Sequence, residues 1–446
     1  MDERLRERRL LGRAGFGARP GEVDALRREG AEAWLARQFA APWDAGLEPR
    51  LAGFPSLRET SWEALVDLEI PPPEARDPQA RRRLARRARE IAREATGARL
   101  VRAVHGRFGL REVMLDFWSN HFSVFGRKSL VGALLPHYQR EVLEPHLLGR
   151  FEDLLMAVAK SSAMLVYLDN WTSTTPELPR WARRLAHGRG GLNENYAREL
   201  LELHTLGVDG GYDQRDVNEV ARVFSGWTLE SRRRPVFRFR ALLHVTGPKR
   251  VLGERVPGFG LEEGEALLRR LARHPATARH LARKLAMRLV ADAPPPRLLE
   301  RASRRFLESE GEIAELLRAI LLAPEFADPE RRKLKTPLRL AASALRATDG
   351  ETDGGPALLR AVGRLGELPY FARTPAGYPE AGEHWIDPGA MLQRMALGFA
   401  LASGRVRGSA LGSVLPETLP RLPEARGLGL REAQALAIAS PEFQWV

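Results

Sequence analysis

No cysteine occurs in the 446 residues. That absence excludes disulfide scaffolds, thiolate zinc sites, iron–sulfur clusters and thiol nucleophiles. Long apolar runs are missing too, and no stretch approaches the ~20 apolar residues that a membrane-spanning helix needs. The opening Met1-Asp2-Glu3-Arg4-Leu5-Arg6-Glu7-Arg8-Arg9 lacks the apolar core of a signal peptide, so a cytoplasmic location is expected. Acidic residues are outnumbered: 57 Asp and Glu stand against 70 Lys and Arg, a net charge of +13. That balance suits acidic partners, but the excess sits largely in one segment, and direct nucleic-acid binding is not expected. The nucleophile elbow, the phosphate-binding loop and the dinucleotide fingerprint are all absent.

What is present is helix. At 44% hydrophobic residues the chain can bury a substantial core. Apolar residues recur at three and four spacing over 20–40, 57–69, 110–118, 147–168, 265–290, 297–322, 334–347, 356–366 and 389–403, which predicts helices there. Only 235–256 has strand character. Its alternating Val236-Phe237-Arg238-Phe239 would pair with the segment around Lys249 to Gly253 as a hairpin. No fixed-period repeat appears, which argues against a solenoid. The expected fold is mainly α: one large irregular helical domain over 1–446 with a small β-hairpin insertion near 235–256. An N-terminal subdomain 1–110 and a C-terminal subdomain 265–446 would flank a central motif region, 110–260.

The charge excess concentrates in 80–107, where Arg81 to Arg83, Arg86, Arg87, Arg89, Arg93, Arg99, Arg102 and Arg107 fall on a helix. Such a face either docks an anionic partner or is a solvated surface making i,i+4 pairs with Glu90 and Glu94.

The most concentrated chemistry lies in Asn193-Glu194-Asn195-Tyr196-Ala197-Arg198-Glu199-Leu200-Leu201-Glu202-Leu203-His204-Thr205-Leu206-Gly207. At ~100° per residue Asn195, Arg198, Glu199 and Glu202 share one flank, while Tyr196, Leu200 and Leu203 form the other. A short glycine loop then leads to a second helix with Asp216, Glu219 and Arg222 in a polar stripe, capped by Asp213. Packed antiparallel, the two helices would set Glu199, Glu202, Asp216 and Glu219 near one another. Four carboxylates of this kind fit a divalent-metal site in a helical bundle, or a structural hairpin in which Arg198 and Arg222 pair with Glu199 and Glu219. His121 in Phe117-Trp118-Ser119-Asn120-His121-Phe122, and His244 at the end of the expected strand, are candidate nitrogen donors. The loop Gly377-Tyr378-Pro379 with Trp385 is of a type that lines clefts.

These same motifs resemble the DUF1800 family, a large bacterial family. The likeness begins at Arg13-Ala14-Gly15-Phe16-Gly17 and runs through the Trp118 and Asn193 segments. It continues through Gly226-Trp227-Thr228, His274-Pro275-Ala276-Thr277-Ala278-Arg279 and Lys333-Leu334-Lys335-Thr336-Pro337. It closes on Ser440-Pro441-Glu442-Phe443-Gln444. The resemblance implies a mainly helical fold. It also implies an analogy with exported members encoded beside a sulfatase-like DUF1501 protein, a partner by that analogy. Two positions depart from the family pattern: Ser119 and Val245 stand where the family often has His and Asp.

Two functions follow as expectations. One is a divalent-metal-dependent hydrolase or oxidoreductase using Mg, Mn, Fe or Zn. Its central cleft would hold Glu199, Glu202 and His121 as catalytic groups, and His121, Asn195, Glu199, Glu219 and His244 as ligands. Arg198, Arg222, Tyr378 and Trp385 would contribute to binding. The other is a non-catalytic binding or assembly protein with a structural polar hairpin and a basic docking helix.

Overall fold

A computed structural model describes residues 3–41, 44–57, 78–179, 181–182, 191–231, 234–413 and 416–446. The helix expected over 57–69 lies, but for Leu57, outside them. Elsewhere helices dominate, yet most of the long apolar stretches are divided in two by one residue that the periodicity does not register. Gly30, at φ 85 and ψ 151, separates Glu22–Glu29 from Ala31–Ala40. Ser161 is extended and its hydroxyl accepts from Met164 N–H, so Phe151–Lys160 ends and Ser162–Tyr167 begins. His274 does the same with its ring nitrogen, capping Pro275–Leu289 at Ala276 N–H, with Pro275 in the first turn where no amide is needed. Gly311 lies between Pro296–Glu308 and Ile313–Leu321.

The strands are fewer and shorter than the helices and pair differently from expectation. Phe237–Phe239 pairs antiparallel with Trp227–Leu229, and Arg250–Val251 folds back on Glu254–Arg255. The hairpin between Phe237 and Lys249 therefore does not form. The partner of Phe237–Phe239 lies before it, because buried Trp227 and Leu229 give that strand a side to bury. Gly253, at positive φ, allows Arg250–Val251 its own tight turn. A third antiparallel pair joins Glu351–Thr352 to Ser409–Ala410.

One contiguous apolar cluster runs from Leu10 to Phe443. The helix Glu3–Arg13 reaches the C-terminal segment directly: Arg13 Nη2 donates to the Val446 carbonyl across 2.7 Å. Helix Pro78–His105 packs on Pro337–Ala347, and Gly109–His121 on Ala31–Ala40.

Among the described residues two helical segments are π-wound, Tyr138–Leu143 and Leu200–Thr205. The second carries the motif. Asn193 caps it, accepting from Tyr196 N–H at 2.9 Å, and Glu194–Glu199 is ordinary α-helix. From Leu200 the winding widens, and Leu206 N–H bonds back to Leu201 across five residues. That extra residue per turn rotates the end of the motif away from the 100° wheel. Leu201 and His204 are buried, while Leu203 is only partly so.

Candidate functional site

The π-wound turn leaves its last carbonyls without amide partners, as every helix end does. Two histidine rings supply the missing donors. His280 Nε2 donates to the Leu203 carbonyl at 3.1 Å and His121 Nε2 to the His204 carbonyl at 3.2 Å. With its proton on Nε2, His121 accepts at Nδ1 from Lys284 Nζ, 3.1 Å away. The three rings lie close: His121 is 6.3 Å from His204 and 6.0 Å from His280, with Phe117, Trp118, Phe122 and Phe151 around it. Burial, reinforced by Lys284, holds His121 far below the ordinary histidine pKa. The same causes bring His204 down to about 3 and His280 to about 4. Lys284 is itself lowered to about 8 by burial, against the pull of Glu380. These rings are neutral at pH 7.

Beside the histidines lies a buried ionic centre built from two polar stripes at four-residue spacing. Helix Gly109–His121 contributes Glu112, Asp116 and Asn120. Helix Pro275–Leu289 contributes His280, Lys284 and Arg288. Arg288 bonds Asp116 through one guanidinium nitrogen and reaches Glu380 Oε2 at 3.1 Å through the other. Arg99 also holds Asp116, at 3.2 Å, and Arg102 bridges Glu112 at 2.8 Å and Glu144 at 2.6 Å. Asn120 behaves like a strand amide toward a distant loop: it donates to the Tyr378 carbonyl at 2.9 Å and accepts from Tyr378 N–H at 2.7 Å. Gly377 makes this approach feasible, because a Cβ there would sit 2.4 Å from the Asn120 carbonyl oxygen. Glu367 is pushed up to about 7, first by burial and then by Asp116. The cavity between Asp116, Asn120, Arg288, Glu367 and Tyr378 is about 20 Å³, room for a water but not a substrate.

The residues expected to converge on one cleft are instead distributed over separate networks. His121 belongs to the histidine cluster. His244 is bonded to Glu263 at 3.0 Å and to the Ser225 carbonyl at 2.8 Å, with Lys249 reaching the same Glu263 oxygen at 2.6 Å. Glu219 pairs with Arg222 at 2.6 Å and accepts from Arg250 N–H at 2.9 Å. Asp216 accepts from Leu252 N–H at 2.6 Å and from Asp213 N–H. The second helix thus turns its carboxylates toward the amides of the Arg250–Arg255 hairpin, not toward Glu199 and Glu202. Arg198 bonds Gln214 at 2.8 Å, so the expected Arg198–Glu199 pair does not form. Asn195 is exposed, and Glu199 and Glu202 are partly exposed. Among the described residues no group of three or more His, Asp or Glu side chains is placed to hold a metal ion. Tyr378 and Trp385 lie 6.1 Å apart, the Tyr378 hydroxyl accepting from Leu368 N–H.

The basic helix divides in two. Arg99 and Arg102 in its inner half are the buried partners just described. Arg82, Arg86, Arg89 and Arg93 in its outer half are exposed, with Glu90 near Arg86 and Arg87. Glu94 is turned inward to accept from Ser56 N–H. The side chain of Arg81 is outside the described residues.

Sequence reasoning missed His280, Lys284, Arg288, Asp116, Glu367 and Glu380. The first four were accessible, since polar residues four apart on Leu- and Ala-rich helices mark a buried polar stripe. Glu367 and Glu380 stand in irregular loops with no periodic signal.

The family described as a protein of unknown function, DUF1800, matches residues 9–445, and the chain belongs to that family. Three of the stretches that carry the resemblance, 117–122, 193–207 and 377–379, supply Asn120, His121, His204 and Tyr378 to the histidine cluster and the Arg288 centre. No curated protein and no solved structure matches the chain. No helix among the described residues is long and apolar enough to cross a membrane.

Proposed function

We propose that this chain is a non-catalytic binding or assembly protein, in which the motif-bearing polar centre is structural and the outer half of the basic helix docks an acidic protein surface. The observation that carries this reading is the occupation of the motif side chains. His121 and His280 hold helix-end carbonyls, Asp216 and Glu219 hold hairpin amides, and Asp116 and Glu380 are held by Arg288. A side chain whose polar atoms are committed to holding the fold is not available for proton transfer or ligation. The exposed Arg82, Arg86, Arg89 and Arg93 supply the docking charge. No aromatic side chain interleaves them, which disfavours single-stranded nucleic acid.

Family analogy nominates the sulfatase-like DUF1501 protein as the partner to test first. Binding should weaken steeply between low and high salt. Replacing Arg82, Arg86, Arg89 and Arg93 together by Gln should weaken it at low salt and flatten that dependence. A partner retained equally at both salt concentrations, or equally by the quadruple variant, counts against the reading.

A second reading rests on Glu199 and Glu202, which are one turn apart and make no ion pair among the described residues. Glu199 is raised above the ordinary carboxylate range by burial and by Glu202. A divalent-metal-dependent hydrolase or oxidoreductase would be centred there, near Asn195. Elemental analysis of protein purified without chelator, with thermal shifts on adding Mg, Mn, Fe or Zn, tests it. No bound metal and no shift would remove it.

A further inference from the structure

A second cavity lies between the helix Glu3–Arg13, the loop 417–420 and the C-terminal segment. It measures about 470 Å³, within the ~300–1,000 Å³ typical of small-molecule sites. Its walls are mostly apolar: Leu5, Val23, Leu419, Phe443 and Trp445. Two buried cations, Arg9 and Lys335, stand in the wall; the Arg9 guanidinium is already bonded to the carbonyls of Phe326 and Pro329, which leaves Lys335. Lys335 is 6% exposed. Its backbone is fixed on both sides, N–H to the Gln444 carbonyl at 3.0 Å and carbonyl to Arg394 at 2.6 Å. Its ammonium lies 3.5 Å from the centre of the Phe443 ring. Among the described residues it has neither a hydrogen-bond acceptor nor a carboxylate partner, and Arg339 and Arg394 are its charged neighbours.

A buried ammonium left unpaired is costly. The neighbouring arginines add repulsion, so the position as it stands favours an incoming negative charge. The rim is mixed: exposed Arg8 and Arg332 face exposed Glu417 and Glu442, with Asp24 also on the lining. Selectivity therefore falls to the interior, where Lys335 is the lining cation without an acceptor among the described residues and meets apolar walls, Arg9 being bonded to carbonyls. A single unpaired ammonium matches a singly charged anion, whereas a phosphate dianion would leave half its charge uncompensated.

We propose that this cavity binds a small amphipathic carboxylate, its carboxylate paired with Lys335 and its apolar body packed against Phe443, Trp445 and Leu419. This inference is independent of the docking surface on the basic helix.

Titration calorimetry of the full chain with octanoate, 3-phenylpropanoate and octanol tests it. At least one of the two carboxylates should bind one-to-one, and octanol should bind roughly tenfold or more weakly than octanoate if octanoate is the ligand taken. Lys335→Met keeps the length of the side chain without its charge and should weaken carboxylate binding by at least about tenfold. Absence of binding by both carboxylates overturns the proposal. So does equal binding of octanoate and octanol, or equal carboxylate affinity in wild type and Lys335→Met. If Lys335→Met does not fold, the comparison of carboxylate with alcohol and of either with no ligand decides on wild-type protein alone.

Discussion

His121 donates its Nε2 proton to the backbone carbonyl of His204 across 3.2 Å, tying together two motifs 83 positions apart in the chain. The bond exists because the helix carrying His204 ends in a π-wound turn, whose last carbonyls are unpaired. His280 makes the equivalent bond to Leu203 from a third helix. Motif residues that resemble a catalytic assembly in sequence are, in space, the joint at which three helices are fastened.

The joint has a tight point at Gly207. Its φ is +84, and a Cβ there would lie 2.8 Å from His280 Nδ1. Gly207→Ala should cost about 1–3 kcal/mol from backbone strain, with displacement of His280 adding to it. Gly207→Asn separates the two effects, since Asn tolerates positive φ but still meets the ring. Urea midpoints should fall for both variants, and by less for the Asn variant. An Asn variant as stable as wild type would show that the ring contact contributes nothing.

How far the sequence predicts this molecule depends on the range of each signal. Helices were legible because three-and-four spacing is local, and the Asp213 cap was legible for the same reason. The divisions at Ser161 and His274 were not, since one extended residue barely disturbs a periodic pattern. The motif helix misled because a wheel drawn at 100° assumes α-winding throughout, and the π-wound turn at Leu200–Thr205 re-aims Leu201 and His204. Which acid meets which cation was least legible. Glu380 and Glu367 reach Arg288 from loops whose course depends on tertiary contacts.

Glu199 shows the consequence. From sequence it reads either as a metal-ligand or acid/base group, whose change to Gln costs the apo protein little stability, or as one half of a buried pair with an arginine, in which case Glu199→Gln would cost roughly 3–5 kcal/mol. In the structure Arg198 is turned to Gln214 and Glu199 sits partly buried beside Glu202, its pKa raised by burial and by that neighbour. The folded state therefore holds the Glu199 proton more tightly than the unfolded state, and stability falls as pH rises through the carboxylate range. Glu199→Gln removes that loss. It should leave the urea midpoint unchanged or raised at pH 7, by less than about 1 kcal/mol. A clear loss of stability would restore the ion-pair reading.

His204 gives the opposite sign. It is 2% exposed, its Nε2 has no hydrogen-bond partner among the described residues, and its pKa falls from 6.5 to about 3, chiefly through burial. Between those values the unfolded chain binds a proton that the folded chain refuses. Stability should drop by about 1.4 kcal/mol for each unit the pH falls below 6.5, from this residue alone. His204→Leu has similar bulk and no titration. It should match wild type to within about 1 kcal/mol at pH 7 and exceed it by about 2 kcal/mol at pH 5. Parallel denaturation midpoints for the two proteins from pH 7 to 4 would refute this account.

Arg288 is the keystone of the ionic centre, and its removal should be the most damaging of these changes. Burial by itself would lower its pKa, but Glu380 and Asp116 more than offset that and hold it above the ordinary value. Arg288→Met leaves Asp116 with Arg99, while Glu380 loses its ion pair and keeps the Asn120 amide and the more distant charges of Lys284, Lys333 and Arg339. Breaking a buried pair from one side costs roughly 3–5 kcal/mol, most of it the stranded charge. Two consequences separate that cause from simple loss of packing. Adding Glu380→Gln to Arg288→Met should recover part of the loss, because a neutral amide needs no counter-charge. The penalty should also shrink as the pH falls from 8 to 5. Glu367, already raised to about 7, loses in Arg288 a cation that holds its pKa down, so the folded variant binds more protons than the unfolded state and acid favours it. A penalty that is the same at both pH values and unaffected by Glu380→Gln would mean that Arg288 acts through its bulk and not its charge.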